Sequence, residues 1–261
     1  MMSHTADPVK LVAFDLDDTL APSKSPTPPA IATALTELLA HVPVCVISGG
    51  RFEQFQKQLL PALDLSPHLA GRLHLMPTCG TRYLRYQSGQ WKEIYARNLP
   101  AEHRCQALAV LEEKARELGV WEEDTWGPAL EDRGSQITYS ALGQQAPVSA
   151  KMAWDPSGEK KNRLRDAVAR ELPDLEVRSG GSTSVDITAR GVDKAYGMRQ
   201  LATATDIGLE AMVFVGDRLD PHGNDYPVLE LGVECIAVAD WEETAGVITR
   251  LCERIAGNTR A

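Results

Sequence analysis

Asp15-Leu16-Asp17-Asp18-Thr19-Leu20 sets carboxylates directly behind the apolar run at residues 10–14. Asp15 and Asp17 stand two apart on the way out of that run and can address one small site. Converging carboxylates repel each other unless a cation or a proton lies between them. A second acidic group follows Val213-Phe214-Val215-Gly216. It starts with Asp217, passes through Arg218-Leu219-Asp220-Pro221-His222-Gly223, and ends in Asn224 and Asp225. Hard oxygen donors of this kind suit Mg2+ better than Zn2+.

Two further features belong to the same chemistry. Val46-Ile47-Ser48-Gly49-Gly50-Arg51 offers a hydroxyl and two glycines ahead of a helix whose first amides can receive an anion. Lys194 follows Ala189-Arg190-Gly191-Val192-Asp193 at another helix start. Each has an ordinary reading. Asp, Asn and Gly cap helices and make turns, and lysine is usually a solvated surface residue. Acidic clusters at two strand ends, with a hydroxyl turn and a lysine beside them, form a combination that these ordinary readings do not explain.

The elements that must hold these groups can be read from apolar spacing. Residues 10–14 and 42–47 are short continuous apolar runs, as in buried strands. Ile31, Ala34, Leu35, Leu38 and Leu39 share one face of a helix over 31–40, and 51–60 is a helix stopped at Pro61. Strand–helix alternation with continuous apolar strands predicts a parallel sheet covered on both faces. The middle differs. Residues 82–86 and 90–95 flank Gln87-Ser88-Gly89 as a hairpin. Helices are expected at 101–118 and 159–172. Strands are expected at 175–177, 184–188 and 135–141, the last alternating as a half-exposed strand does. After Gly191 the first style returns, with helices at 194–203, 225–231 and 241–255 and strands at 212–215 and 235–238. The expected class is α/β: a Rossmann-like parallel-sheet core at 1–82 and 190–261, interrupted by an inserted α+β cap at 83–189.

Composition limits the partners. The 261 residues are 43% hydrophobic and 24% charged, ordinary for a globular chain. A formal net charge of −9 argues against a broad grip on nucleic acid or an anionic membrane, but allows a small anion at a local basic site. No apolar run is long enough to span a bilayer. The segment Met-Met-Ser-His-Thr-Ala-Asp-Pro has no basic flank or apolar stretch and is not read as a signal peptide. Five widely spaced cysteines without Cys-x-x-Cys read as reduced thiols of a cytoplasmic protein.

Taken together, the motifs resemble those of the haloacid dehalogenase superfamily of phosphotransferases. Asp15-Leu16-Asp17-Asp18-Thr19 resembles the nucleophile motif, and Ser48 the second-motif hydroxyl. Lys194 resembles the third-motif lysine, and Asp217 with Asn224-Asp225 the acidic fourth motif. The long stretch from Ser48 to Lys194 leaves room for that superfamily's large (type IIB) cap. A closer likeness is to eukaryotic-type phosphomannomutases and their bacterial relatives. It rests on residues 14–22 with Lys24, on 49–59, on Gly180-Gly181-Ser182-Thr183-Ser184-Val185-Asp186, on Gly191-Val192-Asp193-Lys194 and on 216–225.

The resemblance implies a Mg2+-dependent enzyme with Asp15 as nucleophile and Asp17 as general acid and base. Asp17 would have its pKa raised by neighbouring carboxylates. Ser48 and Lys194 would hold the phosphoryl oxygens. The metal would be held by Asp15, the Asp17 carbonyl and Asp217, with Asn224 and Asp225 orienting that shell. Lys24, Arg133, Lys151, Ser184 and Asp186 would contact a small-molecule sugar phosphate, in a monomer or homodimer. The chain departs from the phosphomannomutase pattern in carrying Lys24 and Lys151 for arginine, Gln144 for a cap arginine, and Asp18 for glycine. Lysine cannot hold phosphate bidentately as arginine does. These departures favour a sugar-phosphate phosphatase over a phosphomannomutase-like mutase. A binding protein on an inactive fold is disfavoured by the intact Asp15, Asp17, Lys194 and Asp217.

Overall fold

The computed structural model describes residues 8–221 and 223–258. The stretch read as lacking a leader falls largely outside the described residues, as does His222 of the acidic loop. Contacts divide the chain into two compact units, residues 1–96 with 193–261, and residues 97–192.

The first unit is built on a seven-stranded sheet of order β11-β10-β1-β2-β3-β4-β5. Its strands are β1 (Leu11–Phe14), β2 (Val44–Ile47), β3 (Leu73–Met76), β4 (Arg82–Gln87), β5 (Gln90–Ala96), β10 (Met212–Gly216) and β11 (Glu234–Ala237). From β11 to β3 the pairing is parallel; β4 and β5 add antiparallel. Successive side chains on a strand face opposite ways, so each central strand feeds two cores. Val12, Phe14, Val44, Val46, Val213 and Val215 pack with helices α1 (Pro29–His41) and α10 (Trp241–Asn258). Leu11, Ala13, Cys45, Ile47 and Phe214 pack with α8 (Lys194–Thr205) and α9 (Tyr226–Glu230). The short helices α2 (Phe52–Gln58) and α3 (Pro67–Ala70) and the single turn α4 (Pro77–Gly80) complete this unit.

The hairpin β4–β5 is where the structure departs from the expected boundary. It was expected to open the cap at residue 83. Instead Leu75 pairs with Leu84, so the hairpin extends the core sheet, and the division falls after Ala96 and after Val192. The strand that recruits it, β3, is absent from the sequence reading. Four residues interrupted by His74 carry too little pattern.

The second unit is a four-stranded antiparallel sheet of order β6-β7-β9-β8. It comprises β6 (Leu130–Asp132), β7 (Gln136–Ser140), β8 (Leu175–Ser179) and β9 (Ser184–Ala189), with α5 (Ala101–Glu117), α6 (Val148–Trp154) and α7 (Glu159–Glu171). Ile137, Tyr139, Val185 and Ile187 pack against Ala107, Leu111 and Ala115 of α5 and Leu164 and Val168 of α7. The alternate residues of β7 and β9 form a polar face: Gln136, Thr138, Ser140, Ser184, Asp186 and Thr188. The half-exposed β7 inferred from alternation is corrected here, because all five of its residues are buried. Their polar atoms bond to one another: Thr138 Oγ1 and Gln136 Nε2 donate to Asp186 Oδ1 at 2.7 and 2.9 Å. The sequence reading also lacked β6 and α6, which are short and weakly patterned.

Candidate active site

Parallel pairing brings the acidic motifs together. Phe14 is in register with Val215 and with Val46, so Asp15, Asp217 and Ser48 all leave neighbouring strands at their carboxyl ends. Ligands of open α/β sheets gather at this edge. The Asp15 amide donates to the Val215 carbonyl at 3.0 Å, which holds the first acidic loop against β10. Carboxylate oxygens of Asp15, Asp217 and Asp225 lie within 4.8 Å of one another.

Lys194 stands among them, its side chain shut off from solvent. Its Nζ is 2.7 Å from Asp15 Oδ1 and 2.5 Å from Asp225 Oδ1. Asp193 caps α8 by accepting the Tyr196 amide at 2.8 Å, which fixes the helix start that carries the lysine. Burial alone would lower the Lys194 pKa, but the Asp15 and Asp225 charges hold it above the usual lysine value. Burial pushes Asp15 well above the carboxylate range, with Asp225 and Asp217 adding repulsion and Lys194 opposing it. Asp217 is also raised, by burial first, while Thr19 Oγ1 donates to its Oδ1 at 2.9 Å. Asp225 Oδ2 accepts the Arg218 amide at 3.1 Å. Hard oxygens at this spacing, with the Asp15 and Asp217 carboxyls both raised, fit a divalent cation of the Mg2+ class.

Asp17 behaves differently from the sequence expectation. Its carboxylate lies in a cradle formed by Lys24 and two side chains of α2. Lys24 donates from Nζ at 2.9 Å and from its amide at 2.8 Å; Gln54 Nε2 donates at 2.8 Å and Gln58 Nε2 at 3.1 Å. Burial would raise Asp17, but the Lys24 charge and these hydrogen bonds hold it below the usual carboxylate range. The expected upward shift is therefore corrected: its nearest charge is a cation, not a second carboxylate. Gln54 and Gln58 were not singled out from the sequence. Their signal is the i, i+4 spacing on the helix that follows the Gly49-Gly50 turn. Asp18 sits at φ 60°, where a glycine would be at ease and an aspartate is tolerated.

Ser48 is buried, and its Oγ accepts the Gly50 amide at 3.0 Å, leaving its O–H to donate. Its loop is braced by α4: the Cys79 amide donates to the Ser48 carbonyl and the Thr78 amide to the Gly50 carbonyl, each at 2.9 Å. Thr78 and Cys79 hold positive φ to make that turn. A Cβ on Gly80 would overlap Gly197 Cα, so only glycines let α8, and with it Lys194, approach this loop so closely.

Asn224 is exposed beside Asp225. The remaining residues named for substrate lie in the second unit. Arg133 forms a two-pronged ion pair with Glu131 Oε2, at 3.1 Å from Nε and 2.6 Å from Nη2. Lys151 Nζ donates to the Gln144 carbonyl at 2.9 Å, Gln144 Nε2 to Ser140 Oγ at 2.7 Å, and Ser140 and Ser184 share a hydrogen bond of 2.9 Å. Thus Ser184, Gln144 and Lys151 are linked into one polar network, with Asp186 on the same face of the sheet.

The chain matches the model of a family described as haloacid dehalogenase-like hydrolase over residues 12–246. It is 25% identical over 241 residues to a probable phosphomannomutase of Caenorhabditis elegans, covering 87% of this chain and 89% of that one. It is 25% identical over 240 residues to the phosphomannomutase of Saccharomyces cerevisiae, covering 87% of each chain. In fold it is similar to the Plasmodium falciparum IMP-nucleotidase, with a TM-score of 0.71 at 14% identity over 94% of this chain and 70% of that one.

Proposed function

Because the chain belongs to the haloacid dehalogenase-like hydrolase family, we propose that it is a Mg2+-dependent phosphatase of phosphorylated sugars that works through an aspartyl-phosphate on Asp15. The observation that carries the chemistry is the trio Asp15, Asp217 and Asp225, the first and last of them buried, with Lys194 against both buried carboxylates. A divalent cation held by the trio would offset its charge and let a phosphate dianion approach. Asp15 then attacks phosphorus in line, the bond to the sugar oxygen breaks, and that oxygen takes a proton from Asp17. Water attacks the acyl phosphate, gives its proton to Asp17, and releases phosphate and free Asp15. The Ser48 hydroxyl and the Lys194 ammonium hold non-bridging oxygens through both steps. Because Lys24 keeps Asp17 ionised in the resting chain, that ion pair opens before Asp17 carries a proton.

Hydrolysis, rather than return of the phosphoryl group to a sugar, is supported by the second unit. A mutase must grip the distal phosphate of a bisphosphate intermediate. Here Arg133 is matched by Glu131, Lys151 is bonded to a backbone carbonyl, and Gln144 brings no charge. The mutase reading is favoured by the 25% identity to phosphomannomutases over most of both chains. A panel of mannose and glucose 1- and 6-phosphates, with and without a hexose 1,6-bisphosphate, separates the two. Free phosphate from the monophosphates supports the phosphatase. Fast isomer conversion with little free phosphate replaces it with the mutase.

A further inference from the structure

A second group of metal-ligand side chains lies away from the trio, on the outer helices of the first unit. Glu37 and His41 are one turn apart on α1, and Cys252 faces them from α10. A Glu37 carboxylate oxygen, a His41 ring nitrogen and Cys252 Sγ all lie within 4.8 Å of one another. We propose that Glu37, His41 and Cys252 form a binding site for a thiophilic divalent cation of the Zn2+ type, which clamps α10 to α1.

The donor set argues for that class. Thiolate and imidazole select Zn2+ over Mg2+, whereas the trio offers hard oxygens alone. The scaffold argues for preorganisation. Ile31, Leu35, Leu38 and Leu39 of α1 share one apolar cluster with Val247, Ile248, Leu251 and Ile255 of α10, so both backbones are fixed before any ion arrives. Cys252 is buried and held in place, while Glu37 and His41 are exposed and can turn onto a metal. Tetrahedral zinc at ordinary bond lengths puts its donors roughly 3.3–3.8 Å apart. Rotation of the two exposed side chains covers the difference. Water would complete the coordination. Thiolate ligation releases the thiol proton, so the metal binds by displacing it.

The location separates this site from the proposed chemistry. His41 ends α1 just before β2 begins, whereas Asp15, Ser48 and Asp217 follow the far ends of their strands. Metal bound here is therefore a helix clamp and takes no part in the phosphoryl step.

Cobalt tests the site on the whole chain, reduced, stripped of metal and kept in excess Mg2+. One equivalent of Co2+ should give a thiolate-to-cobalt charge-transfer band with the strong visible absorption of tetrahedral cobalt. Zn2+ should displace it and raise the thermal unfolding midpoint. Cys252→Ser should abolish the band. His41→Ala and Glu37→Gln, at exposed positions that folding tolerates, should each weaken Co2+ binding by at least about 10-fold. No band, or a band kept at full affinity in both exposed-site variants, overturns the proposal. So does a band that survives Cys252→Ser, which would place the thiolate elsewhere. Phosphatase activity with Mg2+ should be unchanged in His41→Ala, so this result stands apart from the fate of the functional proposal.

Discussion

Asp225 Oδ1 lies 2.5 Å from the Lys194 ammonium, and neither side chain is open to solvent. The same ammonium also meets Asp15, so one buried cation answers two buried carboxylates. Breaking such an arrangement from one side leaves unmatched charge in a poorly hydrated place. Lys194→Met should therefore lower stability by about 3–5 kcal/mol. Urea unfolding checks this, and Mg2+ should recover part of the loss in the variant. A loss below about 1 kcal/mol without Mg2+ would mean that the carboxylates simply take up protons.

Asp15→Asn removes the attacking anion while keeping side-chain size. Turnover of an aryl phosphate should fall at least ~1000-fold, since covalent catalysis and a metal contact fail together. Retention of a tenth of the activity would rule out the aspartyl-phosphate route.

Lys24→Gln takes away the charge that holds Asp17 low. A depressed carboxyl keeps its proton only in acid, so the limb of the kcat/KM profile that needs protonated Asp17 in the free enzyme should move to higher pH in the variant. The shift should appear with sugar phosphates, whose leaving oxygen needs a proton, and be small with an aryl phosphate. An unmoved profile for both substrates would remove Asp17 from the acid role.

Under the proposed function, Arg133→Ala should raise KM for sugar phosphates and leave aryl phosphate hydrolysis near the wild-type rate, because the residue would meet only the non-reacting part of the substrate. Equal losses on both substrates would instead mark the Arg133–Glu131 pair as part of the fold.

His74 supplies a pH test of stability. Burial, with the Arg85 charge, lowers its pKa to about 3, and its Nδ1 is 2.7 Å from the Tyr83 hydroxyl. The unfolded chain binds this proton near pH 6.5 and the folded chain does not. The stabilisation is thus complete above pH 6.5 and lost as pH falls toward 3, by about 1.4 kcal/mol per unit. Between pH 7 and 5 wild type should lose roughly 2 kcal/mol more than His74→Gln in urea unfolding. Parallel pH dependences in the two proteins would show that His74 is not held neutral.

The sequence by itself determined the alternation of strand and helix in the first unit. Continuous apolar runs such as Val44–Ile47 are legible without context, because full burial demands an apolar residue at every position. It also pointed to Asp15, Ser48, Lys194 and Asp217 as one group, since each stands where a strand or helix begins or ends, and the fold brings Asp15 to Lys194 and to Asp217. Only the tertiary structure decided what each of these groups touches. Asp17 is two residues from Asp15, yet its charge is set by Lys24, Gln54 and Gln58, side chains that meet it only after α2 has packed. The hairpin at Arg82–Ala96 shows the same limit. Its strands carry no mark of which sheet they join, and the free edge of β3, an element too short to be read, settled it. A strand's apolar pattern is written along the chain, but a pKa or an edge partner depends on residues far away in sequence, and the fold alone brings those to contact distance.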